Sequence, residues 1–232
     1  MRSLRQRAVA DEQMDDPALP AEVYRAVLAD LDRVNSWTLA RRPTLAFVAE
    51  LARRSNRRPL RILDVGFGNG DMLRAIARWA RRTGTAVKLT GVDLNPRSEA
   101  AAQAATPPEL PIEFVAGDYR DQSGRGFDAV ISSLVAHHMS RAELLKFLHF
   151  MVAEARCGWF INDLHRHTHA YLGYPLLARA LRVDPIVRSD GQLSIARSFR
   201  RQDWLELLNA AGIADASIER WFPYRLCVTR WQ

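Results

Sequence analysis

From Leu60 onward, short apolar runs alternate with amphipathic stretches, and this alternation constrains the fold most. Strands are predicted in five apolar runs, at residues 61–65, 87–92, 112–115, 127–132 and 159–161. Helices between successive strands require a parallel sheet with right-handed crossovers and helices on both faces. Two closing segments, 214–221 and 224–231, are joined too tightly to be parallel. We therefore predict an α/β fold with a doubly wound, mostly parallel seven-stranded sheet and an antiparallel C-terminal strand.

The segment before these strands is predicted to be helical. From Pro20 apolar residues recur at helical spacing, and a second helix is predicted from about Pro43. We expect residues 1–58 to form an N-terminal helical lid, with the polar residues 1–19 loose. Residues 59–232 are expected to form the main domain, with an apolar and aromatic insert at about 165–200 covering a substrate.

Composition narrows the class of protein. The 232 residues are 48% hydrophobic and 25% charged, which is typical of one globular α/β domain and not of a fibrous or disordered chain. No apolar run reaches the ~18 residues that a membrane-spanning helix needs, so no membrane partner is expected. Acidic residues replace the apolar core of a signal peptide, and Cys157 and Cys227 are too few for a disulfide framework. A cytoplasmic location is predicted.

The formal charge of +7 and the pI near 10.1 raise the question of a nucleic-acid partner. Only Lys88 and Lys146 among the 33 basic residues are lysines, and the arginines are scattered as separated pairs. A nucleic-acid surface more often concentrates its basic residues in one patch or stripe. A nucleic-acid partner is therefore disfavoured, and nothing in the sequence indicates an oligomeric state.

A glycine-rich loop, Leu63-Asp-Val-Gly-Phe-Gly-Asn-Gly-Asp71, joins the first strand to a helix. Asp71 occupies the place where a dinucleotide-binding fingerprint needs its third glycine. The loop is therefore less consistent with binding of a nicotinamide dinucleotide. Asp93 ends the second strand and Asp118 the third, so both acids converge on one crevice at the carboxyl ends of the strands. There Asp93 can accept bonds from a ribose diol, while Asp118 can face an adenine amino group.

Over about residues 60–230 these motifs, in this order and spacing, resemble class I S-adenosylmethionine-dependent methyltransferases with their Rossmann-like fold. The resemblance implies S-adenosylmethionine as cofactor and S-adenosylhomocysteine as product. It also assigns the cofactor-binding residues by part of the molecule: for the methionine portion Asp64, Gly66, Gly68, Gly70 and Ser133, for the ribose Asp93, and for the adenine Leu94, Asp118 and Tyr119.

A narrower resemblance is to a bacterial subgroup that often accompanies polyketide synthases or aromatic and quinone biosynthesis. It rests on segments such as Ala136-His-His-Met139 and Asn162-Asp-Leu-His-Arg166. The chain departs from this subgroup after Trp37, where the subgroup tends to have glycines.

Methyl transfer to a phenol benefits from a nearby base. His137 and His138 follow the fourth strand and Asp163 ends the fifth, so all three are predicted catalytic residues, with His138 favoured as the base. Each of them can alternatively be a cap or a core residue. No metal is predicted, because the alternating His165, His167 and His169 lack a further ligand and Ser132-Ser133 replace the acid of magnesium-dependent catechol enzymes.

Motifs of enzymes that methylate adenine, glutamine, cytosine or protein arginine are missing, which leaves a small aromatic or lipophilic acceptor. Predicted substrate-binding residues are Tyr24, Trp37, Arg41, Asn162, His165 and Tyr171. The leading prediction is O-methylation of a phenol in secondary metabolism. Alternatives are C-methylation of a quinone precursor, RNA methylation, and a cofactor-binding protein without catalysis.

Overall fold

A seven-stranded sheet in the order β3-β2-β1-β4-β5-β7-β6 organises the chain. The computed structural model describes residues 4–56 and 58–232. The strands are β1 Leu60–Val65, β2 Val87–Asp93, β3 Ile112–Ala116, β4 Phe127–Ser133, β5 Ala155–Leu164, β6 Ser217–Trp221 and β7 Arg225–Trp231. The first five strands are parallel, and β7 runs antiparallel to both β5 and β6. The predicted fold class is confirmed.

Eight α-helices surround this sheet in the described residues: α1 Ala21–Trp37, α2 Arg42–Arg54, α3 Asp71–Thr83, α4 Pro96–Ala105, α5 Arg141–Glu154, α6 Thr168–Ala180, α7 Pro185–Arg197 and α8 Arg201–Ala210. The segment 165–200, predicted as an insert over the substrate, contains α6 and α7. No helix in the described ranges is long and apolar enough to cross a membrane.

The sheet buries an apolar cluster on each face. On one face α5 and α8 contribute Phe147 and Trp204, which pack with Trp159 of β5. On the other face α2 and α3 contribute Phe47 and Ile76. Because both faces of the sheet are covered, consecutive residues of β5 are buried. β5 pairs with β4 at one edge and with β7 at the other, and it extends well beyond the predicted residues 159–161.

The N-terminal arm, residues 4–19, packs against the domain, so the expectation that residues 1–19 are loose is wrong for the described part. The Ala8 N–H donates to the Ala196 carbonyl at 3.0 Å, and the Asp190 carboxylate accepts from the N–H groups of Gln13 and Met14 at 3.1 and 2.9 Å. All of these acceptors belong to α7, far away in sequence, which is why local patterning did not reveal the contacts.

Two glycines at opposite ends of α3 provide a matched test of the loop before that helix. Gly70 and Gly84 both have left-handed backbones, with φ of +72° and +67°. A Cβ on Gly70 would lie 2.8 Å from the Phe114 ring, whereas a Cβ on Gly84 would meet nothing within 4 Å.

We expect Gly84→Ala to cost about 1–2 kcal/mol of unfolding free energy for the left-handed backbone alone. Gly70→Ala should cost about 1–3 kcal/mol more, because Phe114 must move. Urea denaturation of both variants measures the difference. Equal losses would show that the loop accommodates a side chain and that the contact with Phe114 is unimportant.

Candidate functional site

A cavity of about 590 Å³ opens at the carboxyl ends of the parallel strands. It lies beside the point between β1 and β4 where the strand order reverses, the usual ligand position in open α/β sheets. Of the residues predicted from the sequence, those that line it are Tyr24, Gly66, Gly68, Asp93, Leu94, Tyr119, Ser133, His137 and His138. Helices α1, α6 and α7 close the opposite side.

The Asp93 carboxylate connects the end of β2 to the glycine loop. Its Oδ2 accepts from the Gly68 N–H at 2.8 Å, and its Oδ1 accepts from the Asn95 N–H at 2.9 Å. Burial raises the pKa of Asp93, although these two backbone hydrogen bonds act in the opposite direction. The carboxylate therefore holds the loop in place and still lies on the cavity wall.

The glycine loop brings bare backbone to the cavity surface. Gly66 has a φ of +78°, and a Cβ there would lie 2.3 Å from Cγ2 of Val135. Nearby, the Leu94 side chain is 73% exposed at the rim of the cavity, which makes it an apolar surface for a flat ligand. Tyr119 is held against α5 by edge contacts to Phe147 and Phe150, with ring centroids 5.1 and 4.8 Å apart.

Asp64 provides a test of whether a cationic ligand group fits beside the loop. Its carboxylate is buried, and Oδ1 has no hydrogen-bond partner among the described residues. Burial, and then the charges of Asp71 and Asp93, raise the pKa of Asp64 well above its usual range. An unpaired buried acceptor fits an ammonium group, and Asp64 faces a small cavity that shares Gly66 and Ser133 with the large one.

Besides Asp64, which lines only the small cavity, two predicted cofactor-binding residues do not line the large cavity. The Asp118 carboxylate forms an ion pair with Arg120 at 2.5 Å, and this pairing lowers the pKa of Asp118. Gly70 packs towards Phe114, as described above. At the end of β3 it is Gly117, and not Asp118, that lines the cavity.

Five of the six predicted substrate-binding residues are also placed outside the lining, all except Tyr24. The Trp37 side chain is 70% exposed, and Arg41 forms ion pairs with Asp71 and Asp32. Asn162 is buried and donates through Nδ2 to the Ala40 carbonyl and to Thr44 Oγ1, which ties the start of α2 to the sheet. His165 is buried behind the cavity, where burial lowers its pKa to about 4.

The fifth of these residues, Tyr171, is on α6 but on a different side of the helix from the cavity. The α6 residues that line the cavity are His169, Ala170, Gly173, Tyr174 and Leu177. Their spacing of three and four residues is that of one helix face, and Tyr171 falls outside it. Which face of α6 points to the cavity depends on how the helix is rotated on the domain. The sequence alone therefore could not show that Tyr171 lies outside that face.

A histidine and an aspartate form a buried dyad beside the cavity. His137 Nδ1 lies 2.7 Å from Asp163 Oδ1, and the His137 backbone N–H donates to Oδ2 at 2.9 Å. A third donor, the Leu164 N–H, reaches Oδ1 at 2.7 Å. Burial alone would raise the pKa of Asp163, but the charge and hydrogen bond of His137 and the Leu164 N–H outweigh it, so the pKa is lowered. An ionised carboxylate only accepts, so His137 carries a proton on Nδ1, and in the neutral imidazole the lone pair is then on Nε2.

Glu12 is a site residue that sequence reasoning missed. Its buried carboxylate lies 3.8 Å from His137 Nε2 and 3.7 Å from His138 Nε2, and Ser194 Oγ donates to it at 2.8 Å. Burial raises the pKa of Glu12, although His138, Ser194 and Arg197 act against that shift. Glu12 stands in a polar stretch without periodicity, so no local signal could have identified it.

His138 is more exposed than His137 and bonds through Nδ1 to Asp15 Oδ2 at 3.2 Å. One ligand atom from each of Glu12, His137 and His138 lies within 4.8 Å of the other two, an arrangement that can hold a divalent cation or share protons. The prediction that the site binds no metal stays a prediction.

Comparisons with known proteins agree with this geometry. Residues 62–156 match a family model described as a methyltransferase domain. No protein in the curated sequence comparison matches the chain. The plantazolicin methyltransferase BpumL, solved with S-adenosylhomocysteine, is 15% identical with a TM-score of 0.64, over 91% of this chain and 95% of that one.

Two further solved structures share the fold. A SAM-dependent methyltransferase from Aquifex aeolicus is 16% identical with a TM-score of 0.57, over 80% of this chain and 87% of that one. The magnesium protoporphyrin IX methyltransferase ChlM from Synechocystis PCC 6803, with bound SAM, is 15% identical with a TM-score of 0.54, over 95% and 88%.

The sheet order, the ligand cavity at its switch point and the matched domain define a class I methyltransferase fold. Residues 62–156 match a methyltransferase domain, and the solved structures that share the fold of this chain include ones with bound S-adenosylmethionine or S-adenosylhomocysteine.

The raised pKa of Asp64 predicts how stability depends on pH. A carboxyl whose folded pKa is raised stabilises the fold when protonated, and that contribution is lost as pH rises from the unfolded value of about 3.9 through the folded pKa. We therefore expect the unfolding free energy of Asp64→Asn to increase relative to wild type between pH 5 and pH 8. Urea denaturation without cofactor measures this, and a difference independent of pH would contradict the buried, unpaired carboxyl.

Proposed function

We propose that this chain methylates a phenolic oxygen of a small aromatic molecule. One observation carries the proposal: His137, held through Nδ1 by the buried Asp163, lies on the wall of a largely apolar cavity, and its Nε2 has no hydrogen bond among the described residues, with the Glu12 carboxylate 3.8 Å away. When bound, S-adenosylmethionine supplies an electrophilic methyl group on its sulfonium. The protein's task is then to orient an acceptor and remove its proton.

The cofactor fits the half of the cavity around the glycine loop. There Asp64 would meet the methionine ammonium, Asp93 the ribose hydroxyls, and Leu94 the adenine face. Support comes from the unpaired buried Oδ1 of Asp64, the backbone exposed by Gly66, and the uncovered apolar surface of Leu94.

His137 is the better candidate for the base than His138, which the sequence favoured. A phenol has a pKa of about 10, so it stays protonated near neutral pH and gains from a base in contact with it. The buried Asp163 orients His137 and stabilises the imidazolium that forms when Nε2 takes the proton. His138 has only the half-exposed Asp15 at Nδ1, with 49% of the Asp15 side chain exposed.

The rest of the cavity suits an aromatic acceptor. Its wall is formed by apolar and aromatic residues of α1, α6 and α7, among them Leu31, Val34, Tyr174, Leu177 and Ile195. Apolar walls with a few placed polar groups are typical of small-molecule sites.

Many of the arginines that make the chain basic are paired with acids of the same domain, such as Arg125 with Glu113 and Arg166 with Asp203.

Transfer of label tests the proposed acceptor class. Protein and methyl-tritiated S-adenosylmethionine are added to a lysate of the source organism, which is then separated into organic-extractable, RNA and protein fractions. Label is expected in the organic fraction, attached to oxygen. Label on carbon would indicate a quinone-precursor or other C-methyltransferase, and label in RNA or protein would contradict a small-molecule acceptor.

Asp93→Ala is expected to weaken S-adenosylhomocysteine binding by at least a hundredfold, because it removes both a ribose acceptor and the anchor of the Gly68 N–H. Asp118→Ala is the matched control, since it removes the acid at the next strand end, whose carboxylate is paired with Arg120. Calorimetric titration of both variants measures the effect. Normal binding by Asp93→Ala would show that the pocket is wrongly assigned.

His137→Asn and Asp163→Asn are expected to lower kcat by about 10²–10⁴-fold with the acceptor found by labelling, while cofactor affinity is unchanged. His138→Gln is the control and should retain most activity. The defect of His137→Asn should shrink as pH approaches the pKa of the phenol, because the acceptor then ionises without help. A defect of equal size at every pH would indicate a structural role only.

A further inference from the structure

We infer that Arg225 binds a carboxylate group of the methyl acceptor, so that the preferred substrate is an aromatic acid rather than a neutral phenol. This inference rests on the proposed function and specifies its substrate class. Arg225 is the first residue of β7 and lies opposite Leu164 of β5, one position from Asp163. Both Arg225 and Leu164 line the cavity.

The Arg225 guanidinium is almost fully buried, at 3% exposure, and no acid among the described residues forms an ion pair with it, although the charges of Asp163 and Asp71 act on it. Nη1 has no hydrogen-bond partner among the described residues, and Nη2 donates only to the neutral Oγ1 of Thr38 at 3.2 Å. Burial lowers the pKa of Arg225, and the nearby charge of Asp163 opposes that shift. Asp163 is already occupied by His137 and two backbone N–H groups, so it does not satisfy the guanidinium.

Other buried arginines in the described part of the chain are paired with acids. Arg166 lies 2.9 Å from Asp203, and Arg197 lies 4.0 Å from Glu12. Leaving a buried charge without a partner is costly, and proteins usually pair such charges. An unpaired guanidinium on a cavity wall is therefore suited to an anion that arrives with the ligand.

The position of Arg225 assigns that anion to the acceptor rather than to the cofactor. The glycine loop follows β1, and β7 is the third strand away from β1 in the order β1-β4-β5-β7. With strands about 4.8 Å apart, the backbone of Arg225 lies roughly 14 Å across the sheet from that of β1, while its guanidinium also interacts with the charge of Asp71 at the start of α3. The His137–Asp163 dyad lies between the two, where methyl donor and acceptor would meet.

The surroundings of Arg225 indicate what carries the carboxylate. The lining residues beside Arg225 in the chain or across the strand pair, Pro223, Tyr224 and Leu164, are apolar or aromatic, and Ala170 and Leu177 of α6 line the same cavity, as does the polar Thr38. A flat apolar body with one carboxylate matches this combination, and a carboxylate suits a guanidinium because two N–H groups can point at its two oxygens.

Binding of matched acids and amides tests the inference without any methyl transfer. The probes are benzoate, 3-hydroxybenzoate and 2,4-dihydroxybenzoate, each compared with its primary amide, in the presence of S-adenosylhomocysteine. We expect wild type to bind at least one acid tenfold or more tightly than its amide. Arg225→Gln should reduce this ratio to near one and leave S-adenosylhomocysteine affinity within twofold.

Arg220→Gln is the matched control, because this exposed arginine on β6 also faces β7 and does not line the cavity. It should keep the wild-type ratio. If Arg225→Gln does not fold, as judged by circular dichroism, Arg225→Lys decides, since it keeps the charge but loses the two-pronged geometry and should lower the ratio.

Three results would overturn the inference: wild type prefers no acid over its amide, the Arg225 variant keeps the wild-type ratio, or the variant loses cofactor affinity instead. The last result would assign Arg225 to the cofactor's own carboxylate. Failure of the proposed function has a different signature, because label then appears on carbon or outside the organic fraction, whatever the acids and amides do.

Discussion

The site depends on one buried carboxylate, that of Asp163. At 0% exposure it accepts from the His137 ring, from the His137 backbone and from the Leu164 backbone. These bonds join the end of β5 to the short 3₁₀ helix Ala136–His138 that follows β4. Because a buried charge is stable only when it is fully paired, the same contacts that keep the fold together also fix the tautomer of His137.

The N-terminal arm completes this arrangement from outside the parallel sheet. It delivers Glu12 to the two histidines, and Arg197 of α7 bonds to the carbonyls of His137 and His138. The acids and bases of three distant segments thereby balance one another at the wall of the cavity. Arg225, on the other side of Asp163, has no acid paired with it among the described residues. The two histidines are therefore satisfied within the protein, whereas Arg225 is suited to bind an anionic ligand.

Much of the fold and part of the site followed from local rules. The apolar runs predicted the parallel strands, and the ends of those strands predicted that Gly66, Asp93 and Tyr119 would share one crevice. The substrate side was predicted poorly: Trp37 is exposed and Asn162 anchors α2. Chemical type identified candidates there, but the direction of a side chain depends on helix rotation and on partners that are distant in sequence.

The sequence by itself determined the sheet, the glycine loop and the acids at the strand ends, because strand period, turn chemistry and strand direction are local properties. Tertiary structure alone decided which histidine receives Asp163, that Glu12 enters the site, and that Arg225 is left without a partner. These outcomes depend on burial and on the pairing of charges between segments as far apart as residues 12 and 197, and such pairings exist only once the chain has folded.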